Sequence, residues 1–468
     1  MSKLERIKER EQKQLAVLRK KAARPSYAAY PIVIFVVAIL IHIVDEIASL
    51  IGNNIKSSMV EEFFVRGQGV TFNEGLSTLA ALGIVSLPIM LLAAFYKPLS
   101  DKYGRKPFLV INTMGMAVGM LISMFAKTFP VYFAGTLIST FFIAHDMQVI
   151  YILEIAPPDK RARWYGISKA IGTLGFVLVP LMRQAFMGDD PTRWRLVYLV
   201  PIIMTIVFSL LALILAKESG VFLKDRISIL EKPYEQRIEE SRLAKDQKKA
   251  DRNKSGIIAA LKYILKNRQL RWIVIVVALY YVTGMGLTSY YEPIMYAAQM
   301  STENITKALF MYGFMFAAIL FIAGFIADRF GRKATVVLFG TLSLALFGMF
   351  VFAAYKGWNP YLVGAFYGLY IGSFWQGGDY LSIMLTESTP TSMRTSAMSA
   401  MFIPLLFAGI LSMIYMTIAL RLTSIHNAIL YIAVPGILLA MVLCLFKIKE
   451  TKGADLTTIG REDEITSI

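Results

Sequence analysis

The stretch 41–56, IHIVDEIASLIGNNIK, places His42, Asp45, Ser49 and Asn53 three or four residues apart, so a helix would carry all four on one face. An ionisable side chain at membrane depth costs roughly 2.5–3.5 kcal/mol on insertion scales, so each one is a functional candidate. A desolvated carboxylate has a raised pKa and can take a proton on one side of a membrane and release it on the other. Asp45 is the first candidate for such proton coupling. Glu46, adjacent but facing differently, is its rival, and a plain structural hydrogen bond to a neighbouring helix is the alternative to both.

Other apolar runs are interrupted in the same way. His145 and Asp146 sit in AHDMQ, Lys169 in GISKAIG, and Arg183 late in the following run. Lys169 either holds Asp146 as a structural pair or presents its charge to a substrate anion. In GSFWQGGDY, Trp375 and Asp379 are four apart, with Gln376 and Tyr380 on the adjoining stripe. An aromatic face beside hydrogen-bonding groups suits a ring-bearing, polyhydroxylated ligand. Asp379 is also a third candidate proton carrier. The run YYVTGMGLTSYYEP offers Tyr280, Tyr281 and Thr283, then Glu292 and Pro293. Pro293 would break a helix and supply a hinge, with Glu292 read as a solvated rim residue. Asn53, Asp146, Lys169, Tyr280, Tyr281, Thr283, Trp375, Gln376 and Asp379 form the expected substrate-binding set.

The elements that must position these residues follow from composition. The chain has 468 residues, 56% hydrophobic and only 17% charged, with a mean hydropathy of +0.57. Soluble domains are roughly 45–50% apolar and about 25% charged, so the bilayer is this chain's solvent. A spanning helix needs about 20 apolar residues. Such runs centre on 31–54, 76–98, 107–126, 129–153, 164–186 and 195–216, and again on 272–297, 306–327, 334–354, 360–385, 396–419 and 427–447. The expectation is an all-α membrane protein with twelve spans in two six-helix bundles. These are 29–216 and 271–448, with a basic arm at 1–28, a charged linker at 217–270 and a tail at 449–468.

The net charge of +17 is concentrated in the arm, the linker and short loops flanking apolar runs. That is the pattern of cytoplasmic loops, not of a nucleic-acid surface. It places both termini in the cytoplasm, with the arm lying on anionic lipid. The single Cys, Cys444, excludes a disulfide framework or a Cys-based metal site. No phosphate-binding Gly-x-x-x-x-Gly-Lys-Ser/Thr loop is present, and no cofactor or metal is expected.

One phrase is written twice: SDKYGRK at 100–106 and ADRFGRK at 327–333, between spans 2 and 3 and between spans 8 and 9. Gly104 and Gly331 allow a tight turn, while Asp101 and Asp328 either cap the following helix or pair with a basic residue on a neighbouring span. Arg105 and Arg332 belong to the same phrase. Two copies at equivalent places predict a gating latch and two related bundles that rock about a site near the midplane.

These phrases resemble the loop signature of the major facilitator superfamily, and further residues resemble its sugar-porter-like branch. EIAPPDKRAR, with Glu154 and Arg161, and ESTPTSMRTS, with Glu387 and Arg394, are similar to that branch's Glu…Pro…Arg motif, whose pairs stabilise its cytoplasmic gate. KETKGADLTTI is similar to its Pro-Glu-Thr-Lys-Gly terminus, with Lys449 in place of Pro. KESGVFL, the counterpart after span 6, keeps Glu218 and Ser219. The resemblance implies the major facilitator fold, and it places Asp45 where proton symporters of the branch carry an Asp. YYVTGMG is similar to the branch's Gln-Gln-x-Ser-Gly-x-Asn stretch but has Tyr280 and Tyr281 at the two Gln positions and Gly286 at the Asn. Lys169 falls where the branch places a sugar-binding Gln, so hexose specificity does not carry over.

The resulting expectation is a secondary active transporter at the cell membrane, not an enzyme. It would move a sugar, polyol, sugar-derived compound or sugar acid inward with a proton, as a monomer among lipids. An exporter of lipophilic or aromatic compounds is the first alternative, and a membrane solute sensor the second.

Overall fold

The computed structural model describes residues 3–23, 30–96, 99–143, 147–156, 161–172, 175–237, 239–240, 257–389 and 394–452. Its regular elements are helices. Among the described residues, ten helices are long and apolar enough to cross a membrane. The other two expected spans are helical as well, span 5 as Arg161–Gly172 and Gly175–Phe186, and span 10 as Pro360–Glu387. In span 10 the glycines, tyrosines, Gln376 and Asp379 dilute the apolar character. Exposed side chains such as Ile214, Phe321, Phe325 and Phe446 are large and apolar, as a surface solvated by lipid tails requires.

Helix starts follow local chemistry. Thr71 and Glu74 form a reciprocal capping box before Phe72–Gly83. Asn267 accepts from the Gln269 and Leu270 amides before Arg268–Val282. Asn359 caps Pro360–Glu387, with proline at the first position where its missing N–H costs nothing.

The chain divides into two compact units, residues 1–54 with 85–246 and residues 55–84 with 247–468. In the first, span 1 (Tyr30–Asn54) packs against spans 4, 5 and 6. Its core is built from Ile34, Val37, Ile41, Phe108, Leu109, Met147 and Tyr151. In the second, span 10 packs against spans 8 (Thr302–Phe330) and 9 (Arg332–Tyr355), and span 7 against spans 11 and 12. The short helix Lys56–Val60, the π-helical turn Glu61–Arg66 and the helix Phe72–Gly83 belong to this second unit.

The N-terminal arm is held by a protein contact. It is a helix, Lys3–Ala22, whose Leu18 is buried with Phe222, Leu223 and Leu230 of the linker helix Gly220–Glu231. The heptad-like spacing of Leu15 and Leu18 on a charged helix was the available signal.

Candidate functional site

In the first unit, span 1 presents a connected set of polar groups to spans 4 and 5. Asp45 is buried and its Oδ2 accepts from Gln148 Nε2 at 3.3 Å. His42 is buried and shares a hydrogen bond between Nδ1 and Ser168 Oγ at 3.0 Å. Its Nε2 lies 3.7 Å from Glu46 Oε1, and Lys169 Nζ lies 3.3 Å from the same oxygen. Asp45 and Glu46 thus face different partners, as adjacent helical residues must. Lys169 reaches across to span 1, a partner the sequence reading did not weigh. His145 and Asp146 lie outside the described residues. Ser49 Oγ donates to the Glu46 carbonyl, and Asn53 is half-buried one turn beyond. Arg183 is buried and donates to the Asn54 carbonyl.

In the second unit, spans 7 and 10 build an aromatic shelf. Tyr280 is buried, stacks on Phe374 with centroids 4.8 Å apart and planes at 7°, and donates to the Phe374 carbonyl at 2.8 Å. Tyr281 and Trp375 meet Phe374 edge-on at 6.2 and 6.0 Å. Thr283 is fully buried and its hydroxyl donates to the Tyr280 carbonyl at 2.6 Å. Gln376 is buried, whereas Trp375 and Asp379 are exposed on one stripe of span 10. A carboxylate on that stripe would be costly against lipid, so the stripe faces an aqueous path.

Each copy of the repeated phrase is the centre of a carboxylate cluster. In the first unit Arg105 Nε donates to Glu154 at 2.9 Å, and its Nη1 donates to Asp101 at 2.5 Å. In the second unit Arg332 Nε donates to Glu387 at 3.3 Å, and its Nη1 to Asp328 at 3.1 Å. The Asp residues therefore pair with the arginine one turn on, and the helix N-termini are capped by others. Glu218 accepts from the Arg105 and Lys106 amides at 2.7 and 3.2 Å. Glu450 accepts from the Arg332 and Lys333 amides at 2.8 and 3.0 Å. A carboxylate there meets both the orphan amides and the positive end of the helix.

The glycine of the phrase is now explained. Gly104 has φ 115° and Gly331 φ 97°, and a Cβ on either would run into the Glu218 or Glu450 carboxylate. Arg161 and Arg394 begin their helices, but their side chains lie outside the described residues. Glu218 and Glu450 were missed as site residues, although the motif that contains them was visible.

A third constellation joins segment 55–84 to span 7 within the second unit. Span 7 breaks into Arg268–Val282, Gly284–Ser289 and Tyr291–Ala297. Pro293 has no N–H for the Ser289 carbonyl, and Lys56 Nζ donates to that carbonyl instead, at 2.5 Å. Tyr370 donates to the Leu287 carbonyl at 2.9 Å. Broken backbone at membrane depth is tolerated only when satisfied in this way. Glu292, expected as a solvated rim residue, is instead buried and accepts from Ser57 N and Oγ at 2.8 and 2.7 Å. Glu292→Ala should lower unfolding free energy by about 3 kcal/mol, because it leaves the buried Ser57 amide and hydroxyl without their acceptor. Thermal unfolding checks this, and a change near zero would mean that the Ser57–Glu292 hydrogen bonds are not formed in solution.

The paired signature clusters, the broken span 7 and the helical spans define a multi-pass membrane transporter. The sequence profile of the Major Facilitator Superfamily matches residues 47–378, and the chain belongs to that family. It is therefore a transporter and not an enzyme, and its likenesses over most of the chain are to the sugar-porter-like branch. The glucose transporter GlcP of Staphylococcus epidermidis is 22% identical over 78% of this chain and 84% of that protein. The class H tetracycline resistance protein of Pasteurella multocida is 24% identical over 33% of this chain, and this chain spans only 37% of that protein. A crystal structure of a D-xylose-proton symporter superposes with a TM-score of 0.65 at 16% identity, covering 91% of this chain and 99% of that one. At that identity the likeness shows the fold alone.

Proposed function

We propose that the protein takes up a neutral sugar or polyol across the cell membrane with a proton, by alternating access. The observation that carries this is the pairing in the first unit: Glu46 with Lys169, and Asp45 with Gln148. The cation that would demand an acidic substrate already has a carboxylate of its own. Asp45, buried and hydrogen-bonded by the Gln148 amide, is the carboxylate placed to carry the coupled proton. The aromatic shelf and the Asp379 stripe suit the C–H faces and hydroxyls of a sugar. The likeness to a glucose transporter over most of both chains supports the same class.

In this reading residues 29–216 and 271–448 act as the two six-helix bundles, with the clusters around Arg105 and Arg332 as the cytoplasmic latch. Both termini are cytoplasmic, the lipid contact is made by the apolar outer faces, and the transporter works as a monomer. Asp45 carries the proton, with Glu46 and Asp379 as reserves. Asn53, Asp146, Lys169, Tyr280, Tyr281, Thr283, Trp375, Gln376 and Asp379 contact or shape the solute.

The test is thermal unfolding of the purified protein and of Lys169→Gln with D-glucose, myo-inositol, D-glucuronate and tetracycline. A ligand at a hundred times its Kd stabilises by about 2.7 kcal/mol. A neutral sugar or polyol should stabilise both proteins. Stabilisation only by glucuronate, lost in Lys169→Gln, would contradict neutrality and make Lys169 the anion site. The exporter reading draws on the tyrosines at the two Gln positions and on the partial likeness to a tetracycline resistance protein. Stabilisation by tetracycline alone would favour it.

A further inference from the structure

The N-terminal helix Lys3–Ala22 lies on the linker helix Gly220–Glu231 through a seam centred on Leu18 and Phe222, with Leu15 and Ile227 alongside. Three ion pairs flank the seam within the first unit. Lys8 meets Glu235 at 2.9 Å, Arg19 meets Glu231 at 2.7 Å, and Arg237 meets Glu11 at 2.6 Å. Exposed pairs contribute little stability singly, but a slip of one turn would break all three, so they fix the register. Beyond the seam, Lys13 and Lys21 share a cavity with Lys102, Tyr103 and Glu218. The arm therefore reaches the first copy of the repeated phrase.

Phe222 links the two. Its ring lies 5.9 Å from the Arg105 guanidinium carbon, within cation–π range. Ser219 Oγ accepts from the Phe222 amide at 3.3 Å, which fixes the turn between Phe222 and Glu218. Glu218 in turn caps the helix that begins at Arg105. A short, ordered path therefore runs from Leu18 through Phe222 to both partners of the latch.

We propose that the N-terminal helix is a strap: by seating Leu18 on Phe222 it positions Glu218 against Arg105 and holds the first latch closed. Leu18 and Phe222 are positioning residues in this sense, since neither touches the solute. The functional consequence rests on reading the Arg105 cluster as the cytoplasmic latch. The second copy, around Arg332 and Glu450, belongs to the other unit and provides an internal reference.

The experiment is amide hydrogen exchange on full-length protein in lipid nanodiscs, comparing the parent with Leu18→Asp. Exchange at Arg105 and Lys106 should accelerate about tenfold, as local opening becomes easier, while Arg332 and Lys333 stay at parent rates. Arg19→Glu should give a smaller acceleration at the first copy alone, reversed by adding Glu231→Arg. Unchanged exchange at Arg105 and Lys106 would overturn the strap. Equal acceleration at both copies, or failure of the charge reversal to rescue, would overturn it too, by showing general destabilisation. Faster exchange at the first copy with unchanged access of the cytoplasmic side to thiol reagents would leave the strap standing and sink the latch reading instead.

Discussion

Asp45→Asn should remove sugar accumulation driven by a pH gradient and leave counterflow exchange of labelled sugar largely intact. A one-unit gradient is worth about 1.4 kcal/mol per proton, which sets a ceiling of about tenfold accumulation for one proton per sugar. The variant should fall to an inside-to-outside ratio of about one, since without a titratable group no proton free energy enters the cycle. Asn keeps the shape and can still hydrogen-bond to Gln148, whose amide lies 3.3 Å from Asp45 Oδ2. Exchange, which needs only substrate binding and movement, therefore survives. Proteoliposomes loaded with unlabelled sugar measure both quantities in one preparation. Full accumulation by the variant would make Asp45 structural and pass the role to Glu46 or Asp379.

The second large effect is expected at the latch. Arg105→Gln strands Glu154, which is largely buried, and Asp101, which is largely exposed. Breaking such a partly buried cluster should cost about 1.5–3 kcal/mol, after discounting the exposed partner. That shifts the gating equilibrium towards the cytoplasm-open state by about ten- to a hundredfold. Arg105→Lys should recover little, because an ammonium cannot hold two carboxylates through one fork. Arg332→Gln should act alike through Asp328 and Glu387. The rate at which a cysteine placed on the cytoplasmic side reacts with a thiol reagent reports the shift, and rates equal to the parent's would remove the latch from the mechanism.

The Glu450 carboxylate bears on the pH range of the second copy. Burial works against the Glu450 charge, but the amides of Lys452, Arg332, Lys333 and Thr451 more than offset it and hold the carboxyl below its ordinary 4.5. A group with a lowered folded-state pKa stabilises at pH above its unfolded value, and that contribution is lost as pH falls through the lowered one. The Glu450 cap is therefore fully in place at neutral pH.

What was legible in the sequence was whatever repeats or follows a period. The apolar runs gave the helices because length and hydropathy alone decide them, and the twice-written phrase marked both arginine–carboxylate clusters because each copy meets the same local demand. Gly104 and Gly331 were seen as turn formers. Their nearness to Glu218 and Glu450, more than 110 residues further along the chain, could not be read from spacing. For the same reason Lys169 was offered Asp146, a near neighbour by span number, and not Glu46 on span 1. Glu292 was misjudged because a carboxylate beside a proline at a span end is usually solvated. Its partner Ser57, 235 residues away, comes from a segment that packs with the other half of the chain.

The most direct measurement is lumenal pH in proteoliposomes, with a trapped pH-sensitive dye, when D-glucose or myo-inositol is added outside at equal pH on both sides. Inward sugar flow coupled to protons should acidify the lumen in the parent and leave it unchanged in Asp45→Asn. Sugar entry with no acidification in the parent would contradict proton coupling. Acidification by a lipophilic compound leaving the vesicle, with no response to any sugar, would contradict uptake itself.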